Sequence, residues 1–250
     1  MEINRKVEIN NLCKRFTTDK NSIEVLKDVS FKVFENEFLV ILGPGGCGKT
    51  TLLKTIAGQF PYDKGVMNLE KVQKIGLIFQ NFALFEWMNV QQNVEFGLDI
   101  KGLPKKERAE ISAKYIDLVG LKGFESYYPK KLSGGMKQRV GIARMLAISP
   151  DLMLMDNPFG HLDAQTKYHL EDEVLRIWDV EKKTVIFVTN DIEEAVFLAD
   201  RIILLSDFPA EVKEEFKVTF ERRDADGNLL RRNRTEEKFL KLRKMITEVF

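Results

Sequence analysis

Residues 43–51 read GPGGCGKTT and satisfy the pattern G-x-x-x-x-G-K-[ST], from Gly43 through Gly48 to Lys49 and Thr50. Glycines at these positions let successive backbone N–H groups turn inward around phosphates. The helix that follows presents its positive dipole end to the same anions. Lys49 is placed to reach the β- and γ-phosphates, and the Thr50 hydroxyl is a magnesium ligand. Pro44, Gly45, Gly46, Cys47 and Thr51 complete the cradle. The flanks fit: the apolar, strand-like run Phe38–Leu42 precedes the loop and the helix-like segment Thr51–Ala57 follows it. The motif therefore requires a strand–loop–helix unit and points to a nucleoside triphosphate, ATP among them, with Mg2+.

The 250 residues, 44% of them hydrophobic, suffice for a large core in one domain with a subdomain. Thirty-nine basic residues against 38 acidic ones give a formal charge of +1, so there is no global electrostatic case for nucleic acid as a partner. No apolar run approaches the roughly 18 residues of a spanning helix. The first ten residues, MEINRKVEIN, lack the apolar stretch of a secretory signal. The two cysteines, Cys13 and Cys47, suggest no disulfide framework and fit a reducing cytoplasm. Cys47 reads as a small residue that fits the loop in preference to a redox group.

Strand-like and helix-like pieces alternate along the chain. Val7–Asn10, Val29–Val33, Phe38–Leu42 and Lys74–Phe79 are strand candidates, as are Leu152–Met155, Thr184–Val188 and Arg201–Leu205. Pro104 opens a helix whose apolar residues Ile111, Tyr115, Leu118 and Val119 fall on one face. Further helices are expected over Gly135–Ile148, Leu162–Trp178, Ile192–Leu198 and, rich in Arg and Lys, Arg231–Phe250. This order implies an α/β fold, a mostly parallel sheet covered on both faces and interrupted by a helical insertion.

Three further segments narrow the class: LSGGMKQRV at 132–140, LMLMDNPFGHLD at 152–163 and TVIFVTND at 184–191. With Gln80 in IFQNFALFEWMNV, they resemble the ATPase subunit of an ATP-binding-cassette (ABC) transporter along essentially the whole chain. The resemblance implies a P-loop NTPase fold with an N-terminal antiparallel β part. Residues 1–85 and 150–205 would form the nucleotide-binding core, 86–149 a helical subdomain with the signature motif, and 206–250 a C-terminal extension. Ser133, Gly134 and Gly135 at a helix start form a second anion site by their own chemistry. In the family, that site takes the γ-phosphate of a partner subunit's ATP. Asp156, ending an apolar strand, is suited to hold magnesium or its waters. Gln80 resembles the glutamine that reaches metal and attacking water, and Phe16 the aromatic that stacks on adenine; a core phenylalanine is the alternative reading. Asp163 resembles the aspartate that communicates across the dimer, and it also reads as a helix N-cap.

Two positions depart from the family pattern, and both belong to hydrolysis. The glutamate that polarises the attacking water is replaced by Asn157, and the histidine that contacts the γ-phosphate by Asn190. An amide can orient a water but cannot take its proton, and loss of a general base costs about 10²–10⁴ in rate. Neither histidine of the chain, His161 or His169, occupies the switch position. The nucleotide-binding groups and the signature segment are retained. The expectation is therefore a heterodimer: this chain binds ATP without turning it over and completes the site of a second ABC ATPase subunit. An active homodimer with a substitute catalytic group and a soluble, non-transport ABC protein are the rival readings.

The runs FEWMNVQQNVEFGL, YPKKLSGGMKQRVGIARMLA and DIEEAVFLADRIILLS look like the importer branch for nitrate, sulfonate, taurine or bicarbonate-type solutes. That branch implies transmembrane permease subunits, a solute-binding protein and peripheral placement on the cytoplasmic face of the membrane. Phe82, Phe85 and Trp87 follow Gln80 where the family docks the permease; they either form an exposed patch or pack the helical subdomain. The basic residues of the tail, among them Arg231, Arg232 and Arg234, are interspersed with Glu236, Glu237 and Glu248 and read as a solvated helix face.

Overall fold

The structure is a computed structural model, described here for residues 4–17, 21–81, 83–219 and 232–250. In chain order the elements are β1 (Arg5–Thr17), β2 (Ser22–Phe34), β3 (Phe38–Leu42), α1 (Lys49–Ile56), β4 (Lys64–Asn68) and β5 (Ile75–Ile78). Then come α2 (Val90–Ile100), α3 (Lys105–Leu118), α4 (Gly134–Ala147), β6 (Leu152–Asp156), α5 (Ala164–Glu181) and β7 (Thr184–Thr189). The chain finishes with α6 (Ile192–Leu198), β8 (Arg201–Leu205), β9 (Val212–Lys217) and α7 (Glu237–Val249). It forms two compact units, Met1–Gln73 with Lys182–Phe250, and Lys74–Glu181.

In the first unit β3 lies between β7 and β8 and runs parallel to both, and β9 adds to β8 antiparallel. All residues of β3, β7 and β8 are buried. That explains why FLVIL, TVIFVT and RIILL are near-continuous apolar runs, since helices cover both faces of a parallel sheet. At its base Arg201 donates to Glu37 at 2.7 Å, tying the start of β8 to the turn before β3. A second, antiparallel sheet has the order β2–β1–β4. Its strands continue well past the short runs expected at Val7–Asn10 and Val29–Val33. Asn11 and Asp28 adopt left-handed backbone angles (φ 50° and 49°), and the β1–β2 register shifts between Ile9 and Leu12 and again before Lys14. Asn11 and Asp28 thus sit in bulged strands that continue through these bends. The strand β9 occupies part of the expected C-terminal extension.

The second unit joins a parallel pair, β5 and β6, to four helices. Helix α4 packs on α2, α3 and β5. Helix α3 buries Ser112, Tyr115 and Ile116, and Val119 follows as its buried C-cap residue. Pro104 stands at the N-cap, one residue outside the helix it was expected to open. Helix α2 is held at its start by a reciprocal capping box between Asn89 and Gln92.

Candidate functional site

The phosphate loop joins β3 to α1, as the motif requires. Gly43 and Cys47 are buried, and Gly45, Gly46 and Thr50 are exposed. Gly48 is the N-cap of α1 at φ 127°, and a Cβ there would lie 3.0 Å from the Val25 carbonyl oxygen, so only glycine fits without strain. The helix starts at Lys49, two residues earlier than expected. Lys49 Nζ donates to the carbonyl oxygens of Gly43 and Pro44, each at 2.6 Å. The two bonds tie the ammonium to the start of the loop. Thr50 and Thr51 occupy the first turn of α1.

Phe16, near the end of β1, is 39% exposed and so is not a core residue. Its ring meets Phe60 edge-on at 5.5 Å and carries the Lys14 ammonium at 5.1 Å. Across the same unit, Asn190 follows β7 and is exposed. Asp191 caps α6, accepting from Glu193 N at 2.9 Å and Glu194 N at 3.1 Å. The D-x-x-E spacing of Asp191 and Glu194 is a signal for this cap in the sequence itself.

In the second unit Asp156 is the last residue of β6 and is 7% exposed. Asn157 follows at φ 41°, and Gln80 lies two residues past β5, half-buried. Asp163 accepts from Thr166 N at 3.0 Å, just before α5, and this backbone hydrogen bond holds its carboxyl below the usual carboxylate range. The N-cap reading of Asp163 is thus realised. His161 is exposed. Gln80 and Asp156 in this unit carry carboxamide and carboxylate oxygens, and Thr50 in the first unit carries a hydroxyl; each by itself is a hard donor of the kind magnesium takes. Among the described residues no cluster of three His, Cys, Asp or Glu could hold a metal.

Ser133 caps α4, its hydroxyl accepting from Met136 N at 3.3 Å. A Cβ at Gly135 would fall 2.8 Å from Thr166 Cγ2, so α4 and α5 meet there with no room for a side chain. Below this contact a cavity of about 510 Å³ opens between the two helices, lined by Ser133, Arg139, His169, Glu173 and Arg176 among others. Arg139 Nε pairs with Glu173 at 2.8 Å, and burial raises the Glu173 carboxyl above its usual range. This pairing was not legible in the sequence, because it joins residues of two separate helices.

Phe85 packs against Phe96 at 4.4 Å and Trp87 at 5.4 Å, with the Arg144 guanidinium 5.4 Å from its ring. Burial pushes the Arg144 guanidinium pKa down. Trp87 is 72% exposed, so the two aromatics divide the expected roles: one packs and one faces solvent. Phe82 lies outside the described residues, as does Arg231 in the tail.

A family model described as ABC transporter matches residues 26–160, from β2 through the phosphate loop and the signature segment to the turn after Asp156. The chain belongs to the ABC transporter family. It is an ATP-binding subunit of that family with the P-loop fold, and nucleotide binding comes with the domain. An uncharacterised ABC transporter ATP-binding protein of Methanocaldococcus jannaschii is 47% identical over 250 residues, covering 98% of this chain and 91% of the relative. The taurine import ATP-binding protein TauB of Escherichia coli K12 is 43% identical over 227 residues, covering 88% of this cassette and 89% of TauB. Among solved structures, the ATP-binding cassette MJ0796 in a dimeric post-hydrolysis state bound to ADP and Pi superposes with a TM-score of 0.75 at 30% identity, over 86% of this chain and all of that one. CbiO1 of Clostridium perfringens, at 22% identity and a TM-score of 0.77, shows the same fold over 86% of this cassette and 89% of its own length. No helix among the described residues is long and apolar enough to cross a membrane.

Proposed function

We propose that this chain binds Mg-ATP, turns it over poorly, and completes the ATP site of a second, hydrolytically intact cassette subunit in an importer. The observation that carries the proposal is the pairing of retained and missing groups at the ends of adjacent motifs. Lys49, Thr50 and Asp156 are present for binding, while Asn157 and Asn190 stand where a base and a γ-phosphate contact would act. Phe16, exposed on β1, serves as the adenine platform, and Gln80 as the contact to metal and water. Ser133, Gly134 and Gly135, at the start of α4, receive the partner's γ-phosphate, with Asp163 facing the partner. In a homodimer both sites would lack the base, so a heterodimer is favoured.

The likeness to a taurine import ATP-binding protein supports a small-solute importer, with permease subunits and a solute-binding protein completing the system and the cassette held peripherally at the cytoplasmic face. Of Phe85 and Trp87, Trp87 is the one exposed and available to dock a permease. The test is to measure equilibrium binding of Mg-ATP and release of phosphate on one preparation of the isolated chain. Micromolar binding with phosphate release near background is expected. Robust turnover that Lys49→Ala abolishes would establish an active homodimer instead.

A further inference from the structure

Three arginines from the C-terminal segment grip α6 at both ends. At its C-terminus, where helix carbonyls lack partners, the Arg232 guanidinium donates to Val196 O at 3.3 Å, Ala199 O at 2.9 Å and also Phe197 O. Arg232 is only 9% exposed. At the first turn, Glu193 receives Arg234 at 3.4 Å and Arg243 at 3.7 Å. Arg234 also lies 3.7 Å from the centre of the fully buried Phe197 ring. Helix α7, which packs on α6, buries Phe239 and Ile246. A seven-residue helix has little stability of its own, because nucleation is unfavourable and few bonds follow it. Its position is therefore set by what holds it. Its N-cap, Asp191, is the residue directly after Asn190, and Asp191 N donates to Thr189 Oγ1 at 3.0 Å. The backbone around Asn190 is thus fixed on one side by β7 and on the other by α6.

We infer that Arg232, with Arg234 and Arg243, is a positioning residue for the phosphate-side loop at Asn190, so that the C-terminal segment sets how well this site distinguishes ATP from ADP. The position of Asn190 at the γ-phosphate is the one given under Proposed function, and this inference rests on it: in place of the absent histidine, the amide makes a weaker contact there. Packing on β3 and β7, with Ala195, Val196, Phe197 and Leu198 fully buried, fixes the body of α6 and leaves its two ends to be held by other groups. A helix also capped by a buried guanidinium and pinned through Glu193 holds the side chain in register with a third phosphate. Charge-assisted bonds to helix carbonyls favour the cation at that end on dipole grounds as well.

The test compares Arg232→Ala, Arg232→Lys, Glu193→Gln and Asn190→Ala in the full chain. Two readouts are taken: dissociation constants for Mg-ATP and Mg-ADP, and amide exchange over residues 189–199. Arg232→Ala is expected to accelerate exchange at the start of α6 by about tenfold or more. It should cut the ATP-over-ADP preference by about fivefold, the scale of one hydrogen bond, while ADP affinity holds. Arg232→Lys, which keeps a cation without the fork, should fall between the two. A merely structural role would weaken ATP and ADP equally, and that result overturns the inference. Should Arg232→Ala fail to fold, Glu193→Gln, at a partly exposed pair, gives the same readouts. If Asn190→Ala leaves the ATP-over-ADP preference unchanged, the γ-phosphate reading fails by itself, and unchanged exchange in the arginine variants then overturns the clamp separately.

Discussion

Asn157 lies folded against Gly160 so closely that a Cβ built at Gly160 would fall 2.4 Å from Asn157 Nδ2. The same residue sits at φ 41°, and its carbonyl accepts from Gly160 N at 3.2 Å, closing a tight turn after Asp156. Asparagine tolerates the left-handed region better than most residues. Asn157 is therefore accounted for by the turn as well as by its place in the catalytic pattern. Replacement by Glu should cost about 1 kcal/mol or more of backbone strain, whereas Asn157→Gly should be nearly neutral. Gly160→Ala should destabilise by about 1–3 kcal/mol through the displaced Asn157 side chain. Thermal unfolding of the three variants gives the order, and an Asn157→Gly protein that melts lowest would contradict it.

The strain at Asn157 bears on rescue. Asn157→Glu with Asn190→His supplies both a base and a γ-phosphate contact, and the pair should outperform either single change because such groups act as a unit. The gain is expected in the assembled complex when the partner's catalytic glutamate has been replaced. A misplacement of about 1 Å costs roughly 10²-fold, so the restored rate should stay below that of an intact site. Normal ATP binding with no gain in turnover would locate the defect outside these two positions.

Ser133 contributes its hydroxyl to the cap of α4. Ser133→Ala should therefore cost about 1 kcal/mol in stability even without nucleotide. Ser133→Arg should also obstruct the partner's γ-phosphate and lower the ATPase rate of the assembled transporter far more than Asn157→Ala does. Steady-state phosphate release by the two complexes decides the matter. Small, equal effects would mean that this signature completes no working site.

Glu173 supplies a pH signature. Burial raises its carboxyl pKa, and the opposing pull of Arg139, Arg176 and His169 does not restore it. The native state therefore keeps a proton that the unfolded chain has already lost. Relative stability from this group is greatest at low pH and falls as pH rises through the raised value. Glu173→Gln removes the cost of the buried charge. Its urea midpoint, relative to the parent protein, should be more favourable at pH 8 than at pH 5. The reverse ordering would show that the 2.8 Å pair with Arg139 outweighs desolvation.

Trp87 is exposed on a segment otherwise anchored through Phe85 and Phe96. Trp87→Ala should leave Mg-ATP binding by the isolated chain unchanged while weakening its co-purification with permease subunits. Interface tryptophans often contribute about 2 kcal/mol or more, enough for a loss of tenfold or greater. Retained assembly would move the docking surface elsewhere.

Much of this was legible in the sequence, for reasons specific to each piece. The buried strands β3, β7 and β8 announce themselves as apolar runs, and the phosphate loop and Ser133 obey backbone chemistry that allows few residue types. Strands β4 and β9 were not legible. KGVMN is mostly exposed and contains a glycine, and in VKEEFK four charges mask the alternation of an edge strand that pairs only with β8 among the described residues. The tail helix was expected from Arg231 but begins at Glu237, because Arg232 and Arg234 reach back to α6. Their alternation with glutamates looks like a solvated face, and no local pattern reveals that a distant helix end needs a cap.

Gly135 can be indispensable for two unrelated reasons. Its amide belongs to the helix start proposed to meet a phosphate, yet its missing side chain also sets the distance of closest approach between α4 and α5, where Thr166 stands 2.8 Å from any added Cβ. A loss of activity in a Gly135→Ala protein would consequently be ambiguous evidence about phosphate contact. The methyl group acts as a spacer between two rods, and what it wedges apart includes the Asp163 turn at the head of α5. Shortening Thr166 to serine in the same protein takes the opposing methyl away. Activity regained in that double variant would assign the defect to the gap between the helices, and activity still absent would assign it to the anion.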